Sequence, residues 1–355
     1  MKRQKLLFIS AIFIIQTSFS QDIIKDSAAD AKFNEIVALV DEGDYVIART
    51  SILKALDEGA DLFKYSYELA WCDYQLKDYK AAINVLKPLI NEPKASADFY
   101  QLLGNAYDEI GQTGKATTTY ENGLKRYPNA GRLYLELGNV SYKKADYRQA
   151  LYYYEKGIEV EPDFASNYYR ATKIYLSSTE EVWAVMFGEI FMNLEKDTER
   201  SKTISKDLFE VFKNEITLNR NDVEVDFYNP SIIYSDSYER KNLFPQYYKE
   251  AMTKACQGEN FLNIASLSRI RTRFIRTLYN IMPDFHNVLF DYHKRMIELG
   301  FFEAYNYWLF GYGDNIESSA WISKNKKAFN DFLKWFNDNP LKIDRNNLFT
   351  RYNME

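Results

Sequence analysis

The chain has two histidines, His286 and His293, seven positions apart with Asp291 between them. Imidazole and carboxylate both ligate zinc, so the first question is a metal site. The spacing argues against one. Two ligands on one helix sit at i and i+4, and a third protein ligand is needed. Both histidines are expected on one face of a helix, as surface or half-buried side chains. Arg269, Arg273 and Arg276 lie along one side of the preceding predicted helix, opposite its apolar stripe. A solvated face is the expectation, with a docking patch for an acidic partner or an anionic glycan as the alternative. Carboxylates are plentiful, but no spacing ties a pair to the two-carboxylate cleft that glycoside hydrolysis requires. The signatures CxxC, HExxH, Walker A and GxSxG do not occur. No catalytic residue, metal site or cofactor is therefore expected. Cys72 neighbours apolar helix positions and is expected as a buried free thiol, while a disulfide with Cys256 is left open.

Helices must position all of these groups, and their arrangement is written in a repeat. Gly104 is followed by Gly138, Ala116 by Ala150, Tyr120 by Tyr154, Gly123 by Gly157 and Pro128 by Pro162, always at the same interval. Self-similarity at a fixed period of this length means stacked helical hairpins. In the unit Ala97–Ala130, helix A carries Leu103, Gly104 and Tyr107, and Gly111 and Gly114 mark the turn. Helix B carries Ala116, Tyr120, Gly123 and Leu124 and stops before Pro128. The unit Gly131–Phe164 repeats this with Tyr134, Leu137, Gly138, Ala150, Tyr154 and Pro162. The glycines and alanines are expected where two helices cross closely, and Tyr120 and Tyr154 at the seam to the next unit.

This pattern of an aromatic, Leu-Gly, Tyr, Ala, an aromatic and Pro resembles the tetratricopeptide repeat family. The likeness extends more weakly to Phe63–Ser96, with Leu69, Ala70, Ala82, Leu86 and Pro93. It reaches Ala29–Leu62 through Gly43, Ala48, Ile52 and Leu56, and a further helix pair through Tyr168, Ala171 and Tyr175. It implies an all-α fold, a right-handed α-solenoid followed by a C-terminal helical domain with a short extended insertion. It also implies that helix A supplies an inner, concave face that holds a protein or peptide. The matching positions are Tyr67, Trp71 and Tyr74, then Gln101, Asn105 and Asp108, then Arg132, Asn139 and Tyr142, then Tyr169, Arg170 and Lys173. Asn105 and Asn139 match positions that family members use to bind peptide backbone. Gln101 and Glu136 stand where a carboxylate-gripping member has Lys and Asn.

The formal charge is −5, with no basic footprint, so nucleic acid is not an expected partner. With 29 Tyr and 24 Phe the chain is rich in aromatics. Seams between helices would use them, and a peptide- or carbohydrate-stacking surface is the other reading. Lys2, Arg3 and Lys5, the apolar run Leu6–Ile15 and the small residues Ser18 and Ser20 read as a secretory signal peptide cleaved after Ser20. The run is too short to span a bilayer comfortably, which takes about 20 residues. Cleavage would take the charge to about −8, with a periplasmic location and no transmembrane span in the mature chain.

In order, the expected divisions are 1–20 signal peptide, 21–62 cap or divergent repeat, 63–198 repeats and 199–355 C-terminal helical domain. Val182–Leu194 is nearly all apolar and reads as a buried interface helix. Asp197–Ser205 is polar and reads as a boundary. Ile204, Leu208, Val211, Phe212 and Ile216 keep helical spacing. Val223, Val225 and Phe227 alternate with Glu224 and Asp226, so Asn219–Ser237 reads as an extended insertion, a hairpin or an arm. Helices return after Pro245, over Leu267–Ile281, from Pro283 to a Gly300 cap, over Phe301–Phe310 and over Ile322–Phe336, with a polar tail beyond Pro340. The span 285–318 can be laid on the repeat, with Tyr292 oversized at its small position. The functional expectation is a non-enzymatic periplasmic scaffold, within an envelope or secretion assembly. The alternative is a C-terminal enzyme or glycan-binding domain served by the repeats.

Overall fold

The computed structural model describes residues 30–219, 222–228, 243–348, 350 and 351. The expected leader 1–20, the lead-in to residue 29, and Asn229–Pro230 and Ile232–Tyr234 of the insertion lie outside the described residues. Among the described residues the chain is all-α apart from one small hairpin, and its helices stack as solenoid-type hairpins. It divides into two compact units, one ending at Tyr127 and one beginning at Pro128.

The first unit holds α1 (30–42), α2 (Tyr45–Asp57), α3 (Leu62–Gln75), α4 (Tyr79–Leu86), α5 (Ala97–Glu109) and α6 (Thr113–Arg126). Consecutive helices pack on one another, and α3 also packs beside α5. Ile36, Val40, Ala48, Ile52, Ala55, Tyr65, Leu69 and Cys72 form one apolar core. The turn inside each hairpin uses a left-handed residue, and it recurs with the period of the repeat. Gly43 (φ 84°), Lys77 (φ 62°) and Gly111 (φ 74°) occupy it here, and Ala145 (φ 59°) in the second unit. The hairpin of residues 30–57 therefore turns in the same way as the clear repeats. Two of the four positions are not glycine, so composition alone under-reports this period. The next helix opens on an aspartate cap after Lys77 and Ala145: Asp78 accepts from the Ala81 amide and Asp146 from the Gln149 amide.

The second unit begins with α7 (Gly131–Lys143), α8 (Tyr147–Val160), α9 (Ala165–Tyr175) and α10 (Glu181–Leu194). As expected, α10 is buried along almost its whole length, from Val182 to Asn193. The polar stretch after it is a short turn rather than a boundary. Thr198 caps α11 (Glu199–Glu215) in a reciprocal box with Ser201. The helix stops earlier than its apolar spacing predicts. Ile216 takes extended angles and opens β1 (Ile216–Asn219), which pairs antiparallel with β2 (Asp222–Val225), Ile216 facing Val225. The described start of the insertion is thus part of a hairpin, anchored where the Phe227 carbonyl accepts from the Val182 amide at 2.9 Å.

The rest of the unit is α12 (Phe244–Cys256), α13 (Ile264–Ile281), α14 (Val288–Leu299), α15 (Phe302–Phe310), α16 (Asn315–Lys324) and α17 (Lys326–Asp338). Three boundaries differ from expectation. Pro283 does not open a helix, because Asn287 caps α14 by accepting from the Leu289 and Phe290 amides. The last predicted helix is two, broken at Asn325. The tail is packed, not loose: Leu341, Ile343 and Thr350 are buried, and Arg345 donates to the Val160 carbonyl on α8. One continuous apolar core runs from Leu135 to Ile343 and passes through position 198 without a break. Among the described residues no helix is long and apolar enough to cross a membrane.

Candidate functional site

The residues that keep the period first build a scaffold for the inner faces. A Cβ added at Gly104 would lie 2.2 Å from the Tyr120 ring, and one at Gly138 would lie 2.3 Å from the Tyr154 ring. The tyrosine of helix B thus covers the glycine of its own hairpin. This names what crowds the glycine. Each hydroxyl then donates to the asparagine that follows the glycine: Tyr120 to Asn105 Oδ1 at 2.6 Å, Tyr154 to Asn139 Oδ1 at 3.0 Å. Asn139 also donates to Glu136 at 3.0 Å. The two asparagines expected to meet a bound peptide therefore each hold an internal hydrogen bond.

In the first unit, Tyr67, Trp71 and Tyr74 rise in successive turns along α3, all half-buried. Trp71 stacks on Tyr74 at 6.1 Å, Tyr74 meets the Tyr79 edge at 5.2 Å, and Tyr67 leans on Phe99 at 5.5 Å. Gln101, Asn105 and Asp108 form the corresponding stripe of α5, also half-buried. Asp108 accepts from the Thr113 hydroxyl at 2.8 Å, tying the stripe to the start of α6.

In the second unit the basic members are paired. Arg132 lies 3.6 Å from Glu161, and Lys173 lies 3.0 Å from Asp207 on α11. The Tyr169 ring is 5.2 Å from Phe191, with the Arg200 guanidinium over it at 5.0 Å. Tyr142 is exposed and meets the Tyr147 edge at 5.4 Å, and Arg170 is exposed.

The groups that opened the sequence reading part company. His286 is exposed in the turn before α14, whereas His293 is fully buried on it, so they share no face. Arg269 and Arg273 both hold Glu259, at 2.6 and 2.9 Å, which accounts for two members of the arginine run. Cys72 and Cys256 are free and buried, and burial pushes their thiols up to about 11 and about 12.

A buried polar cluster went unread. Glu189 on α10 accepts from both the Arg271 guanidinium on α13, at 2.5 and 2.6 Å, and the Tyr305 hydroxyl on α15, at 2.8 Å. Arg271 also donates to Asn306, and Asn193 donates to the Tyr305 hydroxyl at 2.8 Å. His293 Nε2 lies 2.8 Å from Glu189, off the line of a hydrogen bond. Burial would raise the Glu189 carboxyl, but Arg271 and His293 outweigh it and hold it at about 2. Burial, helped by Arg271, pushes His293 down against the pull of Glu189. A closed cavity of about 10 Å³ borders the cluster, room for one water. The cluster is sealed from solvent and joins four helices. Its sequence signal was a glutamate inside an otherwise apolar run and an arginine one step beyond Ile270 on an apolar stripe. Among the described residues no group of three His, Cys, Asp or Glu could hold a metal ion.

A family model for the tetratricopeptide repeat matches residues 97–130 and 131–164, the two units with the clearest Gly–Tyr–Asn arrangement. The small glutamine-rich tetratricopeptide repeat-containing protein 2 of Mycosarcoma maydis is 31% identical over 86 residues, 24% of this chain and 24% of that one. This chain thus spans about a quarter of the length of the curated relative it matches. A thermophilic tetratricopeptide repeat protein of Thermus thermophilus is similar in structure at 20% identity and a TM-score of 0.45, covering 51% of this chain and 98% of that one. Pseudomonas aeruginosa PilF is similar at 20% identity and a TM-score of 0.44, covering 53% and 86%.

Proposed function

With two tetratricopeptide repeats at 97–164 as the premise, we propose that this chain is a non-enzymatic scaffold that docks a protein or peptide on the inner faces of its A helices. The observation that carries this reading is which aromatic and charged side chains stay partly or fully open to solvent. Tyr67, Trp71 and Tyr74 are half-buried, and Tyr142 and Arg170 are exposed, all on regular helices. Side chains held on rigid helices lose little freedom when a partner arrives. The region after α11 supports the same reading, since Tyr305 meets Phe332 and Phe336 edge-on, and those two rings stack, filling it beside the buried Glu189 cluster.

The test is affinity capture with the full mature chain and with a variant carrying Trp71→Leu, Tyr142→Ala and Arg170→Ala. The variant should lose captured partners while its helicity and melting temperature stay near those of the parent. An unchanged capture profile overturns the docking reading. The basic start, apolar run and small residues of positions 1–20 support export to a periplasm, where the partner would belong to an envelope or secretion assembly. Sequencing the mature protein should give Gln21 as the first residue, and a retained Met1 would remove that part of the proposal.

A further inference from the structure

The α3 face of the first unit combines aromatic surface with negative charge that nothing balances. Glu68 is half-buried on α3, three residues and so one turn before Trp71, and no cation pairs with it among the described residues. Asp41 on α1 stands near enough to repel it. Burial first, and then that like charge, push the Glu68 carboxyl above its ordinary range. The neighbouring cations are already held elsewhere. Lys64, one turn before Glu68, lies 2.6 Å from Asp30 and 4.5 Å over the Phe33 ring. Arg49 on α2 lies 2.5 Å from Asp73.

A half-buried carboxylate one turn from a tryptophan, on a helix that also carries two half-buried tyrosines, suits one chemistry above others. The ring quadrupole attracts a cation, and a partner ammonium or guanidinium would also supply the charge Glu68 lacks. We propose that Glu68, Tyr67, Trp71 and Tyr74 recognise a lysine- or arginine-bearing extended segment of a partner protein. This rests on the docking reading above and names the partner's chemistry at the first unit. The aromatic faces take the aliphatic stem and the cation, and Glu68 with Asp41 sets the sign of the charge.

The experiment uses the full mature chain and two fluorescein-labelled probes, an alternating lysine–alanine peptide and its glutamate–alanine counterpart. Fluorescence anisotropy should show binding of the lysine peptide, weakened by salt, and no binding of the glutamate peptide. Glu68→Gln should weaken the lysine peptide about fivefold or more, and Trp71→Leu by a comparable factor. The melting temperature of Glu68→Gln should not fall, which separates lost binding from lost fold. Equal binding of both peptides, no binding of the lysine peptide, or unchanged affinity in Glu68→Gln overturns the proposal. If the lysine peptide fails while the triple variant still loses its captured partners, the basic segment is wrong and the docking reading stands. If the triple variant also captures normally, both fall.

Discussion

The first and second units treat ionisable groups differently. In the first, α3 carries Glu68 without a cation beside it among the described residues, and the buried Asp73 beside the apolar core of Ile36, Ile52, Leu69 and their neighbours is held by an Arg49 that stays open to water. In the second, Arg132 and Lys173 of the inner faces are paired, and the core contains the Glu189–Arg271 pair and its hydrogen bonds. Where the repeat is regular, a glycine under a tyrosine sets how two helices meet. Beyond the two matched repeats the helices are held together differently. There, α10, α13, α14 and α15 are joined by a buried cluster around the Glu189–Arg271 pair, which forms when these helices are in place.

That contrast can be broken most directly at Arg271. Arg271→Met should leave the Glu189 carboxylate buried without its cation and cost the second unit about 3–5 kcal/mol. Arg49→Met in the first unit should cost less, because the Arg49–Asp73 pair is open to water on the arginine side. Hydrogen exchange followed separately in the two units would read both losses, and equal losses would remove the distinction.

Next in size is the feature the units share. Gly104→Ala and Gly138→Ala should each cost about 1–3 kcal/mol, since the tyrosine ring must move off the new methyl and strain its bond to asparagine. Urea midpoints compare the two, and a marked difference would mean the hairpins are not equivalent.

The smallest effect concerns two carboxylates of α10. Glu189 is held at about 2, below its ordinary 4.5, so it contributes stability above about pH 4.5 that is lost as the pH falls toward 2. Glu181 is the reverse. Burial, and then Glu215, Asp226 and Glu180, raise it to about 7, against a backbone hydrogen bond. The folded state then binds its proton more tightly, so stability grows as pH falls from about 7 to about 4.5. Glu181→Gln should therefore raise the melting temperature at pH 8 and leave it nearly unchanged at pH 4.5. A variant that melts lower at pH 8 would contradict the assignment.

The repeat was legible because it is local. The helix ends before Pro128 and Pro162, the pairing of Gly104 with Gly138, and the burial of α10 all follow from spacing within a few turns. The inner-face positions Tyr67, Trp71 and Tyr74 were placed on α3 by the same period. Their neighbour Glu68 was passed over, because its lack of a cation shows once Arg49 and Lys64 are seen paired with Asp73 and Asp30. Asn105 and Asn139 were expected as peptide-binding groups of helix A, and the sequence carries no sign that the tyrosine fifteen residues on would hydrogen-bond each of them.

By itself the sequence determined that hairpins of helices would form, where they would turn and which residues would be small. Those features depend on backbone conformation and helical period, which act over a few residues. The tertiary structure decided which charges would be satisfied. Glu189 meets Arg271 across 82 positions, and Glu155, also bonded to Tyr175, meets Arg351 across 196. A charge is expensive to bury until its partner arrives, and the packing of distant helices decides which partner that is.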